Sequence, residues 1–289
     1  MKNFQYAAPQ SVSEITGLLA GNRRALLLAG GTDLLVQLRA GRKNADLVID
    51  VKHVAELNEL RFDASRGLTL GAAVPCYRIY GDAEVCRNYP ALADVASIIG
   101  GTQIQGRASI GGNLCNAAPS ADAVPLLIAL KAACRIAGNA GMREMPVEDF
   151  CTGPGRNALQ PGELLVSLHL PAVESGSGAR YLRFIPRNEM DIAVAGAGVA
   201  VTLDDGHFRS ARVALASVAP TPLFVREAGE WLAGKPVNAD SIRTASEIAK
   251  NAAKPITDMR GPAEYRKHLC AVLTRRALES AVQSARKAG

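Results

Sequence analysis

Aromatic side chains are scarce in this 289-residue chain: Phe, Trp and Tyr make up 4%, with a single Trp. No Lys/Arg run accompanies them, so there is no aromatic–basic platform for a nucleic-acid strand. The net charge of +6 reads as that of an ordinary basic globular protein. Long hydrophobic runs are also missing. The longest, residues 124–133, is interrupted by Lys131 and is too short to span a bilayer. Residues 1–9 have no apolar signal core, so the chain is expected in the cytoplasm. Cys76, Cys86, Cys115, Cys134, Cys151 and Cys270 are scattered without a Cys-x-x-Cys pair. That argues against zinc and against a local iron–sulfur cluster, and for free, mostly buried thiols. His53, His169, His207 and His268 lack the spacing of a metal site or a triad, and no Ser or Cys nucleophile motif is present. There is no internal repeat and no low-complexity tract. The remaining composition, 48% hydrophobic and 21% charged, is that of a globular chain able to bury a large core in two or three structural units.

Against those absences stand two glycine-rich turns of the same kind. Ala29-Gly30-Gly31-Thr32-Asp33 follows the apolar run Ala25-Leu26-Leu27-Leu28. Ser109-Ile110-Gly111-Gly112-Asn113 is followed by Pro119 and Asp122. A glycine pair lets the main chain turn with positive φ and lets an anion approach its N–H groups. Leu34, Leu35 and Leu38 share one helical face, with Thr32 placed to cap that helix and Gly41 to end it. Strand, glycine turn and helix N-terminus together favour a phosphate. No Gly-Lys-Thr/Ser follows and no Gly-x-Gly-x-x-Gly begins here, which sets the turn apart from a Walker loop and from the Rossmann fingerprint. Two such cradles suit a ligand with two linked phosphates, such as a flavin dinucleotide. Gly196-Ala197-Gly198 lacks the third small residue of a fingerprint, and close strand packing is expected there.

Periodicity predicts an α+β fold. Residues 1–58 read as βαβ, with helices over 13–20 and 33–40 and strands over 25–28 and 47–51. Between 59 and 175, strands are expected at 68–72 and at Val166, Leu168 and Leu170, whose alternation with Ser167 and His169 implies one wet face. Helices are expected from Tyr77, over 90–99 and over 122–130. Residues 174–178, Glu-Ser-Gly-Ser-Gly, are the best linker. A second domain, 179–289, should hold strands over 192–203 and 212–218 with a hairpin turn at Asp204-Asp205-Gly206. Three helices follow, at 224–233, 239–252 and 263–287, the last burying a face along its first half.

The segment Leu27-Leu28-Ala29-Gly30-Gly31-Thr32-Asp33-Leu34 resembles the first flavin loop of the molybdenum hydroxylase flavoproteins, the FAD-binding medium subunits related to xanthine dehydrogenase and carbon monoxide dehydrogenase. Later stretches match in order: Leu70-Gly71-Ala72-Ala73, then residues 99–113 as the second flavin loop, then Pro119-Ser120-Ala121-Asp122. Gly162-Glu163-Leu164-Leu165, residues 181–187 and Asp191-Ile192-Ala193 complete the series. The resemblance covers nearly the whole chain. It implies a two-part FAD-binding domain of the vanillyl-alcohol-oxidase-like (PCMH) kind over 1–175, and a C-terminal α+β domain of sheet and helices. No inserted cysteine loop for a [4Fe–4S] cluster is seen.

The resemblance assigns both glycine loops to the pyrophosphate, with Leu28, Ala29, Gly30, Gly31, Thr32, Asp33 and Leu34 in the first and Ser109, Ile110, Gly111, Gly112 and Asn113 in the second. It also implies that Asp122 accepts hydrogen bonds from cofactor hydroxyls, that Leu165 contacts the flavin ring, and that Arg183 stands as a fixed cation near it. Asp33 replaces the Ser of some relatives and is expected to fold back onto helix N–H groups. Val74-Pro75 stands where many relatives have Thr-Thr. A Gly31→Asp or Gly111→Asp change is expected to abolish flavin binding while leaving much of the fold.

The implied function is electron transfer without a catalytic residue of the chain's own. A large molybdopterin-binding subunit and a small subunit with two [2Fe–2S] clusters would be the partners, in a dimer of heterotrimers passing electrons to an external acceptor. A self-contained FAD oxidase or dehydrogenase is the main alternative, and a flavin-free assembly subunit the third.

Overall fold

Runs of Leu, Ile and Val at 25–28 and 47–50 make the first sheet. In the computed structural model, which describes residues 2–22 and 24–288, β1 (Gln5–Ala7), β2 (Ala25–Leu28) and β3 (Leu47–Asp50) pair in parallel in the order β1-β3-β2. Met1 and Gly289, the outer limits of the expected domains, lie outside the described residues. Helix α1 (Val12–Gly21) starts at Ser11, whose side chain accepts from the Glu14 N–H. Helix α2 (Leu34–Arg39) links β2 to the buried β3 in the expected βαβ order.

The second sheet is antiparallel, in the order β4-β5-β10-β6-β7. Its first strands, β4 (Leu60–Asp63) and β5 (Gly67–Gly71), lead into six short helices: α3 (Cys76–Gly81), α4 (Ala83–Asn88), α5 (Pro90–Ala96), α6 (Thr102–Gln105), α7 (Ile110–Asn116) and α8 (Ala123–Ala129). Strands β6 (Ala133–Gly138) and β7 (Gly141–Pro146), the ribbon of β8 (Cys151–Gly153) and β9 (Arg156–Asn157), and β10 (Leu164–Leu170) complete the unit.

The wet face expected of β10 is absent, because β10 is the central strand and Ser167 is only 2% exposed. A bulge between Leu165 and Ser167 also breaks the alternation. Leu164 and Val166 join the core beneath the first sheet, while Leu165, Leu168 and Leu170 face the helical layer. The second sheet is therefore sandwiched between the first unit and helices α3–α8.

The C-terminal unit is an antiparallel sheet of β11 (Ser177–Phe184), β12 (Ala195–Asp204), β13 (His207–Ala216) and β14 (Leu223–Phe224), covered by α9 (Arg226–Leu232), α10 (Ala239–Ala252) and α11 (Ala263–Ala288). Asp205 and Gly206 take positive φ, 42° and 74°, the pair of conformations a two-residue hairpin turn demands. Two expectations are corrected. Strand β11 begins at Ser177, inside the expected linker, so Ser177 and Gly178 are paired with Thr202 and Val201. Helix α11 buries a face along both halves, through Leu269 and Leu273 and on to Leu278, Ala281 and Ala285, because β11 runs beneath its far end. Gly178 makes that possible: a Cβ there would collide with the Ala281 carbonyl. Among the described residues no helix is long and apolar enough to cross a membrane.

The C-terminal sheet docks on α8 through small residues. A Cβ at Gly198 would lie 2.6 Å from the carbonyl carbon of Pro125, so the Gly196-Ala197-Gly198 run is the close packing expected of it. Gly198→Ala should lower stability by about 1–3 kcal/mol, read as a shift in the urea midpoint, and a parent-like midpoint would contradict this packing.

Candidate cofactor-binding cleft

Strand β2 delivers the chain into the first glycine loop. Gly31 has φ of 78°, in the region glycine adopts without strain. Gly30 has a different reason to lack a side chain: a Cβ there would collide with the Arg107 carbonyl, on the approach to the second loop. The two loops thus touch backbone to backbone. Asp33, not Thr32, occupies the cap position of α2, and its side chain makes no capping bond. Asp33 therefore does not fold back onto the helix as expected; it stands on the lip of the cleft. Crowding by the cleft walls pushes its carboxyl above the usual range, and nearby Lys43 draws it back.

The second loop is braced from behind. The Cys76 N–H donates to the Ala108 carbonyl at 2.8 Å, and the Gly112 N–H donates to Ser109 Oγ, which caps α7, at 3.0 Å. Gly111 faces away from the cleft: a Cβ there would lie 2.6 Å from Ala72 Cα. The expectation that Gly111→Asp spares the fold is corrected accordingly, since a carboxylate would be driven into the end of β5. Gln37 on α2 donates through Nε2 to Asn116 Oδ1 on α7 at 3.0 Å, clamping the helices that follow the two loops.

Between the loops lies a cleft of about 940 Å³, at the upper end of small-molecule sites, roughly 300–1,000 Å³. Of the expected residues it gathers Ala29, Gly30, Gly31, Thr32, Asp33, Leu34, Ser109, Gly112 and Asn113. Leu28, Ile110, Gly111, Asp122, Leu165 and Arg183 are not on its wall. Leu28 packs toward Leu38 and Val48, while Ile110 and Leu165 belong to the main core.

Asp122 and Arg183 instead form a pair just behind the second loop. Arg183 Nη1 donates to Asp122 Oδ2 at 2.6 Å and Tyr181 Oη donates to Asp122 Oδ1 at 2.9 Å. Arg183 Nη2 also reaches the Ile98 carbonyl at 2.9 Å. Tyr181 and Arg183 alternate on β11, so both point at the start of α8. A Cβ at Gly196 would collide with the Tyr181 hydroxyl, so the small residue there makes room for the phenol. Burial raises the Asp122 carboxyl above its ordinary range, against the pull of Arg183 and the Tyr181 hydroxyl. Arg183 is thus not an unpaired cation but half of a buried ion pair.

Comparison with known proteins converges on the same fold. Residues 2–173 match the FAD binding domain in molybdopterin dehydrogenase, and residues 180–281 match the CO dehydrogenase flavoprotein C-terminal domain. This chain belongs to the FAD-binding subunits of the molybdopterin dehydrogenases. It is 32% identical to the xanthine dehydrogenase FAD-binding subunit of Escherichia coli O157:H7 over 281 residues, 97% of this chain and 96% of the relative. It is 30% identical to the carbon monoxide dehydrogenase medium chain of Afipia carboxidovorans, covering 96% of each chain. Its structure superimposes on carbon monoxide dehydrogenase from Hydrogenophaga pseudoflava with a TM-score of 0.94 at 30% identity, covering 98% of both chains.

The residues of this FAD-binding subunit fit a dinucleotide. Among the described residues, the N–H groups of Gly31, Thr32 and Asp33 have no internal acceptor, and Gln37 Oε1 is buried at the cleft wall with no donor. Such groups await a ligand that offers both acceptors and donors. The flavin supplies the redox chemistry when bound; the chain's residues bind, orient and exclude water. Among the described residues no group of His, Cys, Asp or Glu could hold a metal ion. Cys115 lines the cleft as a neutral thiol, pushed up to about 12 by burial.

Gln37, Lys43, Asn116, Asn157 and Gln160 also line the cleft and carry no motif of their own. They arrive from the end of α2, the end of α7 and the β9 loop. Only for Gln37 was there a signal, its place on the helix that the first glycine loop opens; Lys43 lies beyond the glycine that ends that helix.

Arg183→Met should cost about 3–5 kcal/mol at neutral pH, where it strands the Asp122 carboxylate. The loss should shrink in acid, because the raised Asp122 group takes up a proton early and the stranded charge disappears. Urea titrations at the two pH values test this; an equal loss at both would contradict a charge-pair role.

Proposed function

We propose that this chain is the electron-transferring flavoprotein of a molybdenum-containing hydroxylase or dehydrogenase. Electrons would come from two [2Fe–2S] clusters of a small partner subunit, pass through FAD bound here, and leave to an external acceptor. The molybdenum cofactor would sit on a large partner subunit, in a dimer of heterotrimers within the cytoplasm. The observation that carries this reading is the make-up of the cleft wall: glycine backbone, amides and hydroxyls, with Asp33 and Lys43 on the lip and Glu163 already paired with Arg143 at 2.7 Å. Such a wall holds a dinucleotide but offers no acid–base pair to an organic substrate. Relatives named as xanthine dehydrogenase and carbon monoxide dehydrogenase subunits support the class of complex.

Within this reading the loops 28–34 and 109–113 take the pyrophosphate, with Thr32, Ser109 and Asn113 adding polar contacts. Asp122 keeps lone pairs beyond those used by Tyr181 and Arg183, and from behind the second loop these would accept cofactor hydroxyls. Leu165, in the core behind the cleft wall, would be the residue nearest the flavin ring in this reading. The self-contained oxidase is disfavoured because the C-terminal sheet is covered by its own helices and forms no substrate cap.

The purified chain should carry about one FAD, identified by its absorbance and by chromatography after heat release. Gly112→Asp should abolish that uptake with unchanged far-UV dichroism, since a Cβ at Gly112 meets only Ser109 Oγ, at 3.0 Å. A colourless parent that takes up no added FAD would overturn the reading.

A further inference from the structure

The cleft poses a charge problem that its glycine loops do not solve. A diphosphate brings two negative charges to a lip where Asp33 already stands. Glu163, further along the wall, is neutralised by Arg143 through two hydrogen bonds of 2.7 Å. Lys43 is the one cationic side chain on the wall among the described residues. No carboxylate among them lies within salt-bridge distance of it.

The backbone of Lys43 is fixed, while among the described residues its side chain has no polar partner. Gly41 takes φ of 70° to end α2, and the Arg42 and Lys43 N–H groups both donate to the Gln37 carbonyl, at 2.9 and 3.3 Å. That turn folds position 43 back along the last turn of α2, from where Lys43 lines the same cleft as Asp33. From there the Lys43 ammonium draws down the carboxyl of Asp33 without pairing with it.

We propose that Lys43 is a diphosphate-binding residue, its ammonium moving from the field of Asp33 to the phosphate oxygens when the dinucleotide enters. This rests on the placement of the pyrophosphate at the glycine loops. A flexible lysine suits the task as a point charge that follows its ligand. Asp33 opposes the phosphates and holds the ammonium near the lip until they arrive.

The test is FAD binding to the full-length chain after flavin removal, followed by flavin fluorescence across a range of salt. Lys43→Gln should weaken FAD by about tenfold or more and flatten the salt dependence, because screening then has one charge pair fewer to act on. Lys43→Arg should keep most of the affinity. Asp33→Asn should tighten FAD several-fold. Riboflavin, which has no phosphate, should bind the parent and Lys43→Gln alike. Unchanged FAD affinity and salt slope in Lys43→Gln would overturn the proposal, as would an equal loss for riboflavin, which marks a merely structural role. A parent that binds no FAD overturns the placement of the pyrophosphate itself, a result distinct from a parent that binds while Lys43→Gln is indifferent.

Discussion

The structure depends on a contact with no side chain in it. Gly30 lies against the Arg107 carbonyl, and Gly111 lies against Ala72. The first contact joins the loop after β2 to the loop before α7; the second seats α7 on the end of β5. Neither tolerates a methyl group, so the glycines are conserving distance rather than flexibility. With those distances set, two backbone segments far apart in sequence form the opposite walls of one cleft, and the Gln37–Asn116 hydrogen bond keeps the helices behind them in step. Pre-organisation of this kind spares the ligand the entropy of gathering its own site.

A second contact carries the same logic into the C-terminal unit. Asp122 opens α8, which packs on β12 and β13, and it is gripped by Tyr181 and Arg183 from β11. The buried pair is a specificity device more than a source of stability, since its desolvation offsets much of its attraction. Its hydrogen bond from Arg183 to the Ile98 carbonyl ties the C-terminal sheet to the rear of the second glycine loop. The C-terminal unit is in this way a support for the cleft, although its described residues contribute nothing to the wall.

Much of the fold was legible because the relevant signals are local. The βαβ order of the first unit, the glycine at position 41 that ends α2 and the hairpin at Asp205-Gly206 each follow from residues within a few positions of one another. Helix α7 and its Ser109 cap were not expected, because Ile-Gly-Gly-Asn shows no helical periodicity. Other features were not legible. The bulge in β10 transfers Leu168 and Leu170 to the face opposite Val166, and nothing in an alternating Val-Ser-Leu-His-Leu run announces that. Burial of the second half of α11 depends on Gly178, about a hundred residues earlier and in a stretch that reads as linker.

The same division holds in the site. By itself the sequence determined the two glycine loops, their type and the helix that the first one opens, because turn-forming glycines and helical periodicity are properties of neighbouring residues. Which glycines face a ligand was decided only by the tertiary structure: Gly112 looks into the cleft, while Gly111 is spent on packing. Tertiary structure also turned Asp122 and Arg183 from two separate polar groups into one ion pair, and it brought Lys43 to the same cleft as Asp33. Those outcomes depend on distances between elements, and such distances are settled by how sheets and helices pack, not by any run of adjacent residues.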